Sequence, residues 1–360
     1  MAIAGRPYCG GHRAAGKQAA TGGFEAPIGD LMSDRAILLT GAAGFIGFHV
    51  ALALLAEGRR VVGLDNLNDY YDPRLKQARL DILNKKAGFE FVRADLADRS
   101  ATASLFAGHR FEAVVHLAAQ AGVRYSIEQP HAYAESNLEG FLNILEGCRR
   151  HDCGHLLYAS SSSVYGANTK LPFAVGDPTD RPVSLYAATK KANELMAYSY
   201  SHLYHFPVTG LRFFTIYGPW GRPDMAYFLF TKAIVEGRPI KLFNHGRMRR
   251  DFTYIDDVTR VVCRLVDRGA PQGGPDGGPP ARIYNVGNNR PEDLSRVVAL
   301  LEQELGRTAQ KEMLPMQPGD VTETFADIGD LVRDAGFAPQ TPIDEGIRRF
   351  VGWYRDYHGI

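Results

Sequence analysis

The stretch that decides the fold is Ala36 to Gly58, AILLTGAAGFIGFHVALALLAEG. An apolar run AILLT passes directly into GAAGFIG and then into a helix-forming segment. This places Gly41, Gly44 and Gly47 at a strand-to-helix turn, where backbone amides and a helix N-terminus can hold a pyrophosphate. Phe45 and Ile46 lie in the same turn. Eighteen residues beyond Gly47, a second strand ends at Asp65, followed by Asn66. A carboxylate there can accept from an adenosine ribose and would repel a 2′-phosphate, so the cofactor expected is NAD.

From Ala36 onward, short β-branched or leucine-rich runs alternate with helical segments, the pattern of a doubly wound parallel sheet. Six strands are expected: Ala36 to Thr40, Arg60 to Asp65, Phe89 to Arg93, Ala113 to Leu117, His155 to Ser160 and Val208 to Arg212. A further one, Arg282 to Val286, follows a low-complexity stretch, Gly269 to Pro280, with five glycines and four prolines that read as a surface loop. Beyond Arg212 the alternation is broken by Pro219, Pro223 and Pro239. The expected class is therefore α/β, a Rossmann sheet with a smaller C-terminal substrate-binding lobe. Residues 35–212 form the NAD-binding domain, to which the chain returns around 251–287, and 213–250 with 288–360 form the smaller lobe. Residues 1–34 lack the apolar core of a secretory signal and read as a disordered tail, with Met32 the favoured initiator.

Composition narrows the function. Forty-one basic against forty acidic side chains leave a net charge of +1, which offers no field for nucleic acid or an anionic membrane. No stretch approaches a membrane span. Four cysteines, Cys9, Cys148, Cys153 and Cys263, show neither a disulfide framework nor zinc spacing, which fits the cytoplasm. His116, His151, His155 and His245 lack metal-ligand spacing, and no metal is expected.

The chemistry is carried by YASSSSVYG, which leaves the fifth strand, and by YAATK, 25 residues after Ser161. On a helix, Tyr186 and Lys190 share one face, so the ammonium, together with the nicotinamide charge, can lower the phenol toward working pH and make it a general base. Tyr186 then takes a hydroxyl proton, Ser161 donates to the same oxygen, and Lys190 also holds the nicotinamide ribose.

These residues resemble the extended short-chain dehydrogenase/reductase family acting on nucleotide sugars, and within it the UDP-glucuronate 4-epimerases. The resemblance spans about Ala36 to Tyr357 and rests on TGAAGFIGFHVA, DNLNDYYDPRLKQARL, HLAAQAGVRYS, YASSSSVYG, LRFFTIYGPWGRPDMA, MRRDFTYIDDV and QPGDVTETFADI. It implies that Asp95, with Leu96 beside it, contacts adenine, although a turn or cap role suits Asp95 as well. It also implies that Leu117, Ala118, Ala119 and Gln120 pass along the cofactor, with Asn137 supporting the site. Arg250 would pair with the diphosphate of a UDP-sugar and Asp320 would hold ribose hydroxyls. A uronate carboxylate would meet Ser162, Ser163 and Thr215, with Arg124 and Arg222 nearby; galactose-type epimerases have asparagine where this chain has Thr215.

The reaction implied is NAD-dependent 4-epimerisation of UDP-glucuronate to UDP-galacturonate through a 4-keto intermediate, in a homodimer. UDP-glucose or UDP-N-acetylglucosamine 4-epimerisation is the main alternative. A 4,6-dehydratase would need an acidic pair where Ser162 and Ser163 stand, and a decarboxylase a glutamate in that run. A non-catalytic NAD-binding protein or an RNA-binding relative fits poorly with the complete Ser161, Tyr186, Lys190 set and the balanced charge.

Overall fold

Strand-forming runs that are apolar at consecutive positions must be covered on both faces, and in this chain they are. A computed structural model describes residues 35–273, 277–316 and 321–360, so the tail, Met32, part of the low-complexity loop and Asp320 lie outside the described residues. Six strands, β1 (Ala36–Thr40), β2 (Val61–Asp65), β3 (Phe89–Arg93), β4 (Phe111–His116), β5 (Leu156–Ser161) and β6 (Val208–Phe213), join Ala281–Val286 in one sheet. Every pairing in it is parallel, and the order is Ala281–Val286, β6, β5, β4, β1, β2, β3. The expected strands are all present, with ends shifted by one or two residues.

Alternation along β1 sorts the core into two layers. Ile37 and Leu39 pack with Phe48 and Leu54 of helix Phe45–Ala56 and with Val258 and Val262 of helix Ile255–Arg268. Ala36 and Leu38 face the opposite layer, with Phe106, Phe141, Ile144 and Ala197 from helices Arg99–Gly108, Gly140–Arg150 and Leu185–Tyr204. Truncating any of the fully buried leucines to alanine would cost about 2–5 kcal/mol.

The remaining strands are short. Thr215–Tyr217, Arg249–Tyr254 and Pro291–Asp293 make one small sheet, and Ile240–Leu242 pairs with Lys311–Met313. The strand order of the large sheet reverses between β1 and β4, where helices leave in opposite directions and a crevice opens at the carboxyl ends. A cavity of about 1200 Å³ lies there. Among the described residues, no helix is long and apolar enough to cross a membrane.

Candidate active site

One half of the cavity is built on the glycine turn. Gly41 has φ +72°, and a Cβ there would lie 2.8 Å from the backbone nitrogen of Ala118; at Gly47 it would lie 2.1 Å from the Gly41 carbonyl oxygen. Only glycine lets this turn close on the neighbouring strand. Gly44 N-caps helix Phe45–Ala56 without any side-chain cap and with no acidic residue in the first turn. The first amides are thus left for an anion, and this cradle fits the pyrophosphate of a dinucleotide. Phe45 and Ile46 line the same wall.

Asp65 closes this half. It is 7% exposed, and its carboxylate accepts from the backbone nitrogens of Ala43 (3.1 Å) and Leu67 (2.9 Å), so it braces the turn as well as facing the cavity. Asn66 donates to Asp95 at 2.9 Å, and the other Asp95 oxygen accepts from Ala97 N at 2.9 Å, a turn role that leaves the residue on the cavity wall with Leu96.

Leu117, Ala118, Ala119 and Gln120 line the opposite wall. Thr40 Oγ1 accepts from Ala118 N (3.1 Å) and is hydrogen-bonded with His116 Nδ1 (2.8 Å). Burial and the Lys190 charge push His116 down to about 3, so the ring is neutral. Asn137 does not line the cavity. It is 1% exposed and brackets Gln120 from behind, accepting from its backbone nitrogen at 2.8 Å and donating to its carbonyl at 3.0 Å. It therefore bears on a cofactor through Gln120.

The catalytic candidates converge on the same cavity. β5 ends at Ser161, whose Oγ accepts from Ser163 N at 3.2 Å and donates to Ser163 Oγ at 3.1 Å. Tyr186 and Lys190 lie on helix Leu185–Tyr204, which is N-capped by Ser184. Tyr186 shares the cavity with Ser161 and packs edge-on against Tyr133, ring centroids 6.1 Å apart. The expected lowering of the phenol by Lys190 is not found: burial pushes Tyr186 up, while Ser161 and the Arg222 charge pull it down and Asp224 opposes them. The ammonium is itself drawn down to about 8 by burial. A cationic nicotinamide ring is the remaining influence that could bring the phenol toward neutrality.

Ser162, Ser163, Thr215, Arg124, Arg222 and Arg250 all line the same cavity. Arg222 is held by Asp224 in a two-pronged pair at 3.0 and 2.6 Å, and Tyr70 donates to the same carboxylate at 3.1 Å. Arg124 stacks over Phe243 at 5.0 Å. Arg250 donates to the carbonyls of Val321 (2.6 Å) and Thr322 (3.1 Å).

Three cavity residues escaped sequence reasoning. Lys76, buried beside Asp65, donates to the Asn68 backbone (2.8 Å) and side-chain (2.6 Å) oxygens, and Asp224 and Tyr70 complete the Arg222 cluster. All three lie inside quoted motifs, and the spacing of Arg222 and Asp224 was the available signal. Among the described residues, no group of three or more His, Cys, Asp or Glu side chains is placed to hold a metal.

A doubly wound sheet, a glycine turn at its switch point and a Ser, Tyr, Lys set on one cavity define a short-chain dehydrogenase/reductase type of enzyme. The model of the NAD dependent epimerase/dehydratase family matches residues 37–287, and the chain belongs to that family. A probable UDP-glucuronate 4-epimerase of Rhizobium meliloti strain 1021 is 50% identical over 327 residues, covering 88% of this chain and 96% of its own. UDP-glucuronate 4-epimerase 4 of Arabidopsis thaliana is 48% identical over 331 residues, 89% of this chain and 76% of its own. The crystal structure of a Bacillus cereus UDP-glucuronic acid 4-epimerase with UDP-glucuronic acid and NAD superposes with a TM-score of 0.82 at 30% identity, covering 89% of this chain and 99% of that one.

Proposed function

We propose that the protein is an NAD-dependent 4-epimerase that interconverts UDP-glucuronate and UDP-galacturonate. The observation that carries this is the common cavity, lined at once by the glycine turn, by Ser161, Tyr186 and Lys190, and by a set of hydroxyl and guanidinium side chains suited to a sugar acid. Residues 35–212, with the return at 251–287, serve as the NAD-binding domain, and 213–250 with 288–360 as the sugar-nucleotide lobe.

Gly41, Gly44 and Gly47 hold the pyrophosphate, Asp65 and Asn66 the adenosine ribose, and Lys190 the nicotinamide ribose. Bound NAD supplies a reversible hydride acceptor for carbon 4. Tyr186 takes the proton of the 4-hydroxyl and returns it, and Ser161 donates to the same oxygen. The resulting 4-keto uronate is a β-keto acid, prone to lose carbon dioxide. Ser162, Ser163 and Thr215 fix the carboxylate out of the decarboxylating orientation, and Arg222 balances its charge. The ketone then presents its other face.

Exposed Leu142, Leu195, Tyr198 and Tyr204, on helices Gly140–Arg150 and Leu185–Tyr204, support a homodimer through these helices. Cys148, Cys153 and Cys263 are free thiols, which supports a cytoplasmic setting.

Incubating the purified protein with UDP-glucuronate and no added NAD, followed by proton NMR, tests the reading. UDP-galacturonate from wild type but not from Tyr186→Phe is expected. Turnover of UDP-glucose alone would move the substrate to a neutral sugar, and UDP-xylose would overturn the carboxylate assignment.

A further inference from the structure

Arg79 is a fully buried guanidinium, 0% exposed, and among the described residues no carboxylate pairs with it. It rises from helix Pro73–Leu83 and spans two turns that border the cavity. Nη1 donates to the Ala43 carbonyl (2.7 Å), within the glycine turn, and to the Tyr71 hydroxyl (2.8 Å). Nη2 donates to the Trp220 carbonyl (2.6 Å) and, at 3.4 Å, to that of Gly221, immediately before Arg222. A lysine, with one nitrogen, could not hold both turns; the planar fork can.

The second turn needs holding. Trp220 has φ +60°, a left-handed conformation that bulky residues avoid. Its ring packs at 5.3 Å against Phe48, on the helix that follows the glycine turn, and His49 of that helix bonds the Pro219 carbonyl at 3.0 Å. A Cβ on Gly221 would meet the Tyr227 hydroxyl at 1.9 Å, so only glycine fits at that point of the turn.

We propose that Arg79 is a positioning residue that couples occupancy of the dinucleotide turn to the geometry of the Gly218 to Asp224 turn beside the sugar. This rests on the reading that NAD lies along Gly41–Gly47 and the sugar nucleotide beside Arg222. A pyrophosphate on the glycine turn brings negative charge next to a buried cation that has none of its own. The same guanidinium fixes the carbonyls leading into Arg222, so each ligand strengthens the arrangement the other needs. Such coupling is reciprocal in affinity, so the sugar nucleotide tightens cofactor binding, and tighter binding is expressed mainly as slower release.

The experiment measures NAD release from the as-purified holoenzyme, trapped by a coupled dehydrogenase, with and without saturating UDP. Wild type should release NAD about tenfold more slowly with UDP, roughly 1.4 kcal/mol of coupling. Arg79→Lys should show a ratio within about twofold of one, a loss that would reflect broken coupling. A purely structural role would speed release equally in both conditions and leave the ratio intact, which would overturn the proposal. Trp220→Gly, which keeps the cation and relaxes the strained backbone, should lose the ratio too and serves if Arg79→Lys does not fold. A wild type with no bound NAD, or with no affinity for UDP, would sink the functional reading itself. A ratio that survives both substitutions sinks only the coupling.

Discussion

Lys190 directs its ammonium into the protein, where Nζ donates to the Ala159 carbonyl of β5 at 3.0 Å in a setting that is 2% exposed. Burial draws it down to about 8, below the unfolded value, so the folded state binds this proton less tightly than the unfolded chain. The charged lysine therefore costs stability below pH 8, and stability rises with pH between about 8 and 10 as that cost is relieved. Lys190→Met should raise the unfolding free energy at pH 7 by about 1–3 kcal/mol and flatten this rise, while abolishing turnover. Urea unfolding across that pH range checks both; a destabilised Lys190→Met would contradict them.

Asp224 and Arg222 act on the Tyr186 phenol with opposite signs. Ionised phenol is the active form, so kcat should rise with pH through its titration. Asp224→Asn removes the charge that pushes the phenol up and should move this limb to lower pH. Arg222→Met should move it to higher pH. pH profiles of kcat for the two variants read the shifts directly, and parallel shifts would refute the electrostatic account.

Ser163 and Thr215 are assigned to the uronate carboxylate, and hydrogen bonds to a charged group contribute about 1.5–3 kcal/mol. Ser163→Ala and Thr215→Val should each lower kcat/KM for UDP-glucuronate by about 10- to 100-fold, with decarboxylated product appearing alongside. Side-product analysis by NMR decides this; clean epimerisation at an unchanged rate would remove both residues from the carboxylate site.

His116 and His155 are buried and neutral, pushed by burial down to about 3 and about 4. The unfolded chain binds their protons from about pH 6.5 downward while the folded state does not, so stability is lost as pH falls from 6.5 toward 4. With His49, also pushed by burial down to about 4, three such groups each contribute about 1.3 kcal/mol per pH unit near pH 5. His155→Gln should lower the slope by about that one share in denaturant titrations between pH 7 and 5; an unaltered slope would mean that His155 is charged in the fold.

The sheet was legible because parallel strands buried on both faces leave continuous apolar runs, as in AILL and VVGL, and because the glycine turn forces its own geometry. Ser161, Tyr186 and Lys190 were legible from spacing, since one helix sets the last two. Arg79 was not, because a side chain that reaches from one helix to carbonyls 36 and 141 residues away leaves no local pattern. The position of Asn137 behind the wall, bonded to Gln120, is likewise a tertiary fact. The raised phenol of Tyr186 escaped sequence reasoning because a YxxxK spacing reveals neighbours, whereas desolvation depends on everything packed around them.

The central claim is that hydrogen leaves carbon 4 and returns to that carbon on its opposite face within one enclosed site. UDP-glucuronate carrying deuterium at carbon 4, converted in ordinary water and followed by NMR, tests this most directly. Full retention of deuterium at carbon 4 of UDP-galacturonate is the result expected. Replacement of that deuterium by solvent hydrogen would contradict transient oxidation and require inversion by proton exchange instead.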